Sequence, residues 1–185
     1  MNNTLNKTWQ DFYASRVNES YFNYIKKRYK VFIDLIKMSA RPSDLLTELG
    51  CGICSISKAL DEQLEDIYLS AYDNNFEMLK LAKKNIVGTN KIVLGYHNAL
   101  SYKLSMGDIL HSHGLLEHFE DNEIRRIINL NKKSFREQFH YVPSAKYNIP
   151  SFGDERLMTP EQWHKICQPK EIIEFNEGYD LILIF

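Results

Sequence analysis

Hydrophobic side chains in the first forty residues recur with the spacing of a helix. Apolar positions three or four residues apart run through residues 9–36, which is typical of one buried helical face. This pattern predicts helix over 9–38. A break is predicted over 17–20, because Asn18 is a residue type that caps helices. Pro42 ends the segment, since proline disfavours helix at the residue before it.

From Asp44 onward, short apolar runs alternate with helical stretches. Strands are predicted at 45–49, 67–72, 91–96, 109–112, 135–142, 172–175 and 179–185. Helices are predicted at 54–64, 76–86, 122–131 and 160–167. Alternation of this kind favours a parallel sheet with helices on both faces, joined by right-handed crossovers.

The predicted architecture is therefore a doubly wound α/β fold with a mostly parallel, seven-stranded sheet. The last two strands flank Asn176-Glu177-Gly178 and predict a terminal antiparallel hairpin. We divide the chain into an N-terminal helical segment, 1–43, and a core of 44–185, which together form a single domain.

Composition and charge narrow the range of partners. The 185 residues are 44% hydrophobic and carry a net charge of -1, which gives no long-range attraction to nucleic acid or to an anionic membrane. Three cysteines exclude a disulfide scaffold and favour a reducing compartment. No apolar run approaches the roughly 20 residues of a membrane-spanning helix, and the first ten residues lack the apolar stretch of a secretory signal. We expect a cytoplasmic protein, either a monomer or a homodimer.

The most informative motif follows the first predicted strand, in Glu48-Leu49-Gly50-Cys51-Gly52. Glycines let the backbone turn sharply and approach a ligand closely. In open α/β sheets, ligands bind beyond the carboxyl ends of the strands. Asp73 ends the next predicted strand, where a carboxylate can accept hydrogen bonds from both hydroxyls of a ribose. Ser55 stands where a dinucleotide-binding loop has its third glycine, which makes a nicotinamide-dependent reductase the weakest alternative.

Three blocks of sequence, at 48–52, 72–85 and 108–119, resemble the class I S-adenosylmethionine-dependent methyltransferases in order and spacing. The resemblance implies a Rossmann-like methyltransferase fold with N-terminal lid helices. It also implies S-adenosylmethionine as the cofactor, S-adenosylhomocysteine as the product and a small-molecule acceptor. The helix that carries Tyr13 and Arg16 is either such a lid or plain packing on the sheet.

The resemblance assigns cofactor-binding roles by position. Glu48 and the glycine loop would lie under the methionine part, Asp73 would hold the ribose, and residues after the third strand would contact the adenine. The residues implied are Tyr13, Arg16, Glu48, Gly50, Cys51, Gly52, Asp73, Asn74, Met78, His97, Asn98, Ala99, Ser112, His113 and Gly114. Two positions depart from the family: Cys54 replaces the third glycine of the motif, and Asn98 replaces an acidic residue.

Candidate catalytic residues follow the fourth predicted strand. His113 and His118 are predicted near the reaction centre, where an imidazole can accept a proton from the acceptor. His118 also has an alternative role as a structural or cofactor-flanking residue. No metal is predicted, and Cys51 and Cys54 are interpreted as thiols that line the loop.

The irregular stretch after the fifth strand supplies the candidate acceptor contacts. Tyr147, Phe152 and Arg156 are predicted to bind the acceptor, because long loops often carry function. The alternative is an internally packed loop in which Arg156 pairs with Asp154 or Glu155.

The predicted reaction is direct, in-line transfer of a methyl group to an oxygen or nitrogen atom of a small molecule. The cofactor carries the activation, so the protein mainly aligns the reacting atoms and removes water. Two alternatives stay open, a cofactor-binding accessory protein without activity and a methyltransferase that acts on a protein.

Overall fold

The computed structural model describes residues 8–89, 91–149 and 154–185, and within them it contains one seven-stranded sheet. The strand order is β3-β2-β1-β4-β5-β7-β6. All pairs are parallel except those of β7, which runs antiparallel to both β5 and β6. The seven predicted strands and the terminal hairpin are thus confirmed. The strands are β1 (Asp44–Leu49), β2 (Ile67–Asp73), β3 (Ile92–Tyr96), β4 (Ile109–His113), β5 (Glu137–Pro143), β6 (Glu171–Phe175) and β7 (Asp180–Ile184).

Seven α-helices accompany the sheet in the described part of the chain. They are α1 (Trp9–Ala14), α2 (Glu19–Arg28), α3 (Lys30–Ser39), α4 (Ser55–Asp61), α5 (Phe76–Asn85), α6 (Asp121–Asn131) and α7 (Pro160–Cys167). None of the helices in these ranges is long and apolar enough to cross a membrane.

The predicted helix at 9–38 is in fact three helices. The break before α2 is confirmed, because the Asn18 side chain caps α2 by accepting a hydrogen bond from the Tyr21 backbone N–H. A second break, at Tyr29, was not predicted. The hydrophobic spacing continues through Tyr29 because that side chain is itself buried in the core, so the pattern carries no sign of the interruption.

Two hydrophobic clusters cover the two faces of the sheet. Neighbouring strand residues belong to different clusters, as in Ile109 and Leu110, because successive strand side chains point to opposite faces. Helices α2, α3 and α4 pack on one face and α6 and α7 on the other. Phe22 and Phe32 are fully buried there, so α2 and α3 are core helices, whereas α1 has no buried residue.

The winding of the chain reverses between β1 and β4. These two strands are neighbours at the centre of the sheet, while the connection after β1 leads outward to β2 and the connection after β4 leads to β5 on the other side. The loops that follow β1 and β4 therefore diverge, and they leave a crevice at the carboxyl ends of the strands.

Candidate active site

A cavity of about 260 Å³ occupies this crevice and extends beneath α1. One group of lining residues comes from β1, β2, the first turn of α5 and the loops after β1, β2 and β3. We call this group the β2 side; it includes Glu48, Gly50, Cys51, Gly52, Asp73, Asn74, Met78, His97 and Ala99. The other group comes from α1, α2, the end of β4 and the segments after β4 and β5, which we call the β4 side; it includes Trp9, Tyr13, Tyr21, Ile25, His113, Gly114, His118, Phe119 and Asp154.

The loop after β1 needs glycine for two physical reasons. Gly50 and Gly52 have φ angles of +69° and +53°, which side chains disfavour. A Cβ atom on Gly50 would also lie 2.6 Å from Leu115 Cδ1, so the loops after β1 and β4 touch at this point. Cys54, which replaces the third glycine of the motif, has a φ of +64°. A left-handed conformation costs a non-glycine residue about 1–2 kcal/mol, which explains why the family favours glycine here.

Asp73 connects the first two loops of the site. Its Oδ2 accepts a hydrogen bond from the Gly52 backbone N–H at 2.9 Å, and its Oδ1 accepts one from the Asn75 N–H at 2.9 Å. Burial raises the pKa of this carboxyl. An ionised carboxylate offers about four lone-pair sites, so Asp73 keeps acceptor capacity for two hydroxyls. The residue lines the cavity, and its chemistry fits a ribose.

Glu48 lies buried at the end of β1 and also lines the cavity. Its Oε2 accepts hydrogen bonds from the Ser57 hydroxyl at 2.6 Å and from the Ser57 backbone N–H at 3.1 Å. Burial raises the pKa of Glu48 to about 7, against the opposing effect of the Ser57 hydrogen bonds. The side chain thereby holds the start of α4 against the end of β1.

The loop after β3 places two of its three predicted residues at the cavity. His97 and Ala99 line it, whereas Asn98 does not. The Asn98 side-chain oxygen instead accepts a hydrogen bond from the Leu100 backbone N–H at 2.9 Å. His97 Nε2 is buried and has no hydrogen-bond partner among the described residues. This nitrogen is a polar atom at the place where the adenine was predicted.

The two candidate catalytic histidines have different surroundings. His113 is half-buried between aromatic rings, stacked on Tyr141 with centroids 4.5 Å apart and in edge contact with Tyr29 at 4.1 Å. Burial lowers the pKa of His113 to about 3. His118 is partly exposed, packs edge-on against Trp9 with centroids 5.4 Å apart, and places Nδ1 3.0 Å from Asp154 Oδ1.

Arg16 and Ser112 were predicted to bind the cofactor but do not line the cavity. Tyr13, predicted on the same helix as Arg16, does line it. Arg16 instead donates a hydrogen bond to the Phe12 carbonyl and stacks on the Phe12 ring. Ser112 is buried, and its hydroxyl is 2.8 Å from His140 Nδ1. Strand alternation accounts for this position, because Ser112 and His113 face opposite sides of the sheet.

The predicted acceptor contacts are not gathered at the cavity either. Tyr147 and Arg156 are absent from its lining, and Phe152 lies outside the described residues. Arg156 pairs with Asp121 at 2.6 Å.

Sequence reasoning missed part of the wall of the cavity. Ile25, Phe119 and Asp154 line it but were not predicted as site residues. Ile25 and Phe119 look like ordinary core positions in the hydrophobic pattern. Asp154 stood in the sequence only as a possible partner of Arg156. A signal for its placement was the position of its loop after β5, beside the strand that carries His113.

Comparisons with known proteins agree with this geometry. Residues 47–129 match a family model described as a methyltransferase domain. None of the curated proteins compared with the chain matches it. Among solved structures, an S-adenosylmethionine-dependent methyltransferase from Aquifex aeolicus has a TM-score of 0.69 at 10% identity, over 90% of this chain and 97% of its own. The DhpI complex with S-adenosylhomocysteine has a TM-score of 0.68 at 12% identity, over 95% of this chain and 93% of its own.

Other structures with the same fold are longer. The mitomycin 7-O-methyltransferase MmcR has a TM-score of 0.68 at 7% identity, over 93% of this chain but only 59% of its own. The chain spans 66% of a possible exported protein from Bordetella parapertussis and 60% of the pyocyanin biosynthetic protein PhzM. At such identities the likeness shows the fold, and it confirms the predicted Rossmann-like architecture. The matched methyltransferase domain, the strand order and the loops at Gly50 and Asp73 support the predicted resemblance to the class I S-adenosylmethionine-dependent methyltransferases.

Proposed function

We propose that this protein is an enzyme that moves the methyl group of S-adenosylmethionine to an oxygen or nitrogen atom of a small molecule. The observation that carries the proposal is the continuity of the cavity. It extends from Asp73 and the glycine loop, past Gly114, to an aromatic wall built by α1 and α2. A donor on the β2 side and an acceptor on the β4 side would therefore meet in one space.

On the β2 side, the residues fit the cofactor part by part. Asp73 would accept hydrogen bonds from the ribose hydroxyls, and the backbone of Gly50 to Gly52 would follow the methionine part. Met78, His97 and Ala99 would surround the adenine, with His97 Nε2 as its polar contact. When bound, S-adenosylmethionine supplies an electrophilic methyl group on a positively charged sulfur.

On the β4 side, the enclosure favours a small acceptor. Trp9 and Tyr13 stack with centroids 6.1 Å apart, and Tyr21 lines the wall beside them. Aromatic walls exclude water and hold an apolar body, which aligns the acceptor atom with the methyl group. The net charge of -1 offers no attraction to nucleic acid. MmcR, by its name an O-methyltransferase of mitomycin, shares the fold and lends support to a small acceptor.

Of the two candidate catalytic histidines, His118 suits a role at the acceptor better. A general base works best when its pKa is near the working pH. The low pKa of His113 makes its imidazole a weak proton acceptor, so we propose that its aromatic packing shapes the wall. His118 lies on the cavity wall beside Trp9 and Asp154, where it can contact the acceptor.

The proposal is tested first by cofactor binding. S-adenosylhomocysteine at 100 times its dissociation constant should add about 2.7 kcal/mol to the free energy of unfolding. Differential scanning fluorimetry of the wild-type protein and of an Asp73→Asn variant measures this gain. An unchanged melting temperature in both proteins would contradict the cofactor assignment.

Turnover is tested with a methyl-labelled donor and a cell extract as the source of acceptors. Ultrafiltration then separates small molecules from proteins and nucleic acids. Label in the small-molecule fraction, reduced in the Asp73→Asn variant at limiting cofactor, is the expected result. Label on protein would show a protein acceptor, and binding without any labelled product would favour the inactive accessory protein.

A further inference from the structure

We infer that His118, Asp154 and Glu155 form a binding site for a divalent transition-metal ion on the β4 side of the cavity, where it binds an oxygen atom of the acceptor. The part that concerns the acceptor rests on the proposed function, whereas ion binding can be measured without it. The inference narrows the acceptor from an oxygen or nitrogen compound to one with a hydroxyl group that binds metal.

The three side chains have the spacing of ligands around one ion. One potential ligand atom from each of the three lies within 4.8 Å of the others. His118 Nδ1 and Asp154 Oδ1 are 3.0 Å apart. Two atoms that each bind an ion at about 2.1 Å, at a right angle to each other, are separated by about 3.0 Å. One imidazole and two carboxylates suit Mn²⁺ or Zn²⁺.

A second observation concerns the imidazole nitrogen of His118. Although Nδ1 is close to Asp154, it is buried and has no hydrogen-bond partner within the described ranges. The two atoms approach each other without the alignment that a hydrogen bond needs. Two ligand atoms of one metal ion also lie close together without being aligned for a hydrogen bond. An ion bound by both His118 Nδ1 and Asp154 Oδ1 would satisfy both atoms.

Charge at the site also favours a cation. Arg156 directly follows the two carboxylates in sequence, but its guanidinium is directed elsewhere. It lies 2.6 Å from Asp121 Oδ1 and donates a second hydrogen bond to the Phe119 carbonyl. The guanidinium is therefore committed to these partners, and the Asp154 carboxylate lies next to His118.

The position of the cluster connects it to the reaction. His118 and Asp154 line the same cavity as Asp73, so an ion between them would lie within the space proposed for the acceptor. A divalent ion lowers the pKa of a hydroxyl that binds it. The hydroxyl then loses its proton to water, and its oxygen attacks the methyl carbon. The bond from that carbon to sulfur breaks, and its electron pair stays on sulfur.

Ion binding is tested with Mn²⁺ alone, because Mn²⁺ prefers oxygen and nitrogen ligands to the thiols of Cys51 and Cys54. Isothermal titration should show one saturable site per chain in the metal-free wild-type protein. Asp154→Asn and Glu155→Gln should each weaken the site at least ~10-fold. Electron spin-echo measurements on bound Mn²⁺ should show nitrogen coupling that His118→Ala abolishes.

Matched controls use exposed residues of the same types on α7, namely Glu161→Gln and His164→Ala, which should leave Mn²⁺ affinity unchanged. Circular dichroism of each variant checks that it is folded. Absence of saturable binding to the wild-type protein, or equal binding by Asp154→Asn and Glu155→Gln, would overturn the inference. S-adenosylhomocysteine binding is measured on the same samples, so loss of the metal site and failure of the proposed function give different results.

Discussion

Replacing Glu48 by glutamine should stabilise the protein at high pH and leave its stability nearly unchanged at low pH. The carboxyl is only 2% exposed, and burial raises its pKa from 4.5 to about 7. In the unfolded chain the group ionises near its ordinary pKa, whereas in the folded protein it stays protonated until the pH approaches 7. Glutamine has nearly the same shape, and its oxygen can still accept the hydrogen bonds from Ser57.

The sign and the size follow from linkage. Because the folded pKa is raised, the unfolding free energy of the wild type falls as the pH rises from 4.5 through 7. One pKa unit corresponds to about 1.36 kcal/mol, so the full loss above pH 7 is about 3 kcal/mol. Glu48→Gln lacks this loss. Its stability relative to the wild type should therefore increase by about 3 kcal/mol between pH 4 and pH 8.5.

The assay is urea unfolding followed by far-ultraviolet circular dichroism, with both proteins compared at each pH. Titrating groups that do not interact with Glu48 contribute equally to the two proteins, so they cancel in the difference. Glu65→Gln, the same substitution at an exposed position, serves as the control. If the difference between Glu48→Gln and the wild type is the same at both pH values, Glu48 ionises normally in the folded protein and the reasoning fails.

Three other substitutions test separate parts of the molecule. Asp73→Asn should weaken S-adenosylhomocysteine binding at least ~10-fold in isothermal titration. Asp66→Asn, just before the start of β2, should not weaken it; equal affinities of the two variants would contradict the ribose role. When the pH falls from 7.5 to 4.5, His111→Leu should lose about 3 kcal/mol less unfolding free energy than the wild type. Burial lowers the pKa of His111 from 6.5 to about 3, so over this range only the unfolded chain binds a proton at His111. Parallel curves of stability against pH for the two proteins would refute this. Gly50→Ala should lower the urea midpoint more than Gly88→Ala. Both positions have positive φ, but of the two only the Cβ at Gly50 would lie within 3 Å of another atom. Equal losses would mean that the Leu115 side chain moves aside without cost.

Much of the fold was predictable because the signals for helix and strand are local. The bounds of α7 were predicted to the residue, since Thr159 caps the helix and Pro160 occupies its first position. The break at Tyr29 was not predictable in this way. It depends on how α2 and α3 pack against the sheet, and the buried ring of Tyr29 continues the hydrophobic rhythm across the break.

The candidate site likewise has residues that local sequence signals predicted and residues whose placement these signals did not predict. Gly50 and Asp73 were predictable because parallel strands place their carboxyl ends at one edge of the sheet, so a motif at the end of a strand indicates its own location. Asn98 and Ser112 were predicted at the site but turn away from it, the first toward the Leu100 backbone and the second toward His140. Side-chain direction depends on the turn and on the strand register, which the motif does not encode.

The sequence by itself determined the order of the strands and helices, the glycine loop and the carboxylate that follows it, because short-range periodicity and backbone freedom set these features. Only the tertiary structure brought His118 together with Asp154 and Glu155. They lie on segments after β4 and β5, some 36 residues apart, and they meet because these two strands pair side by side. Contacts of that kind arise from the pairing of distant segments, so no local pattern announces them.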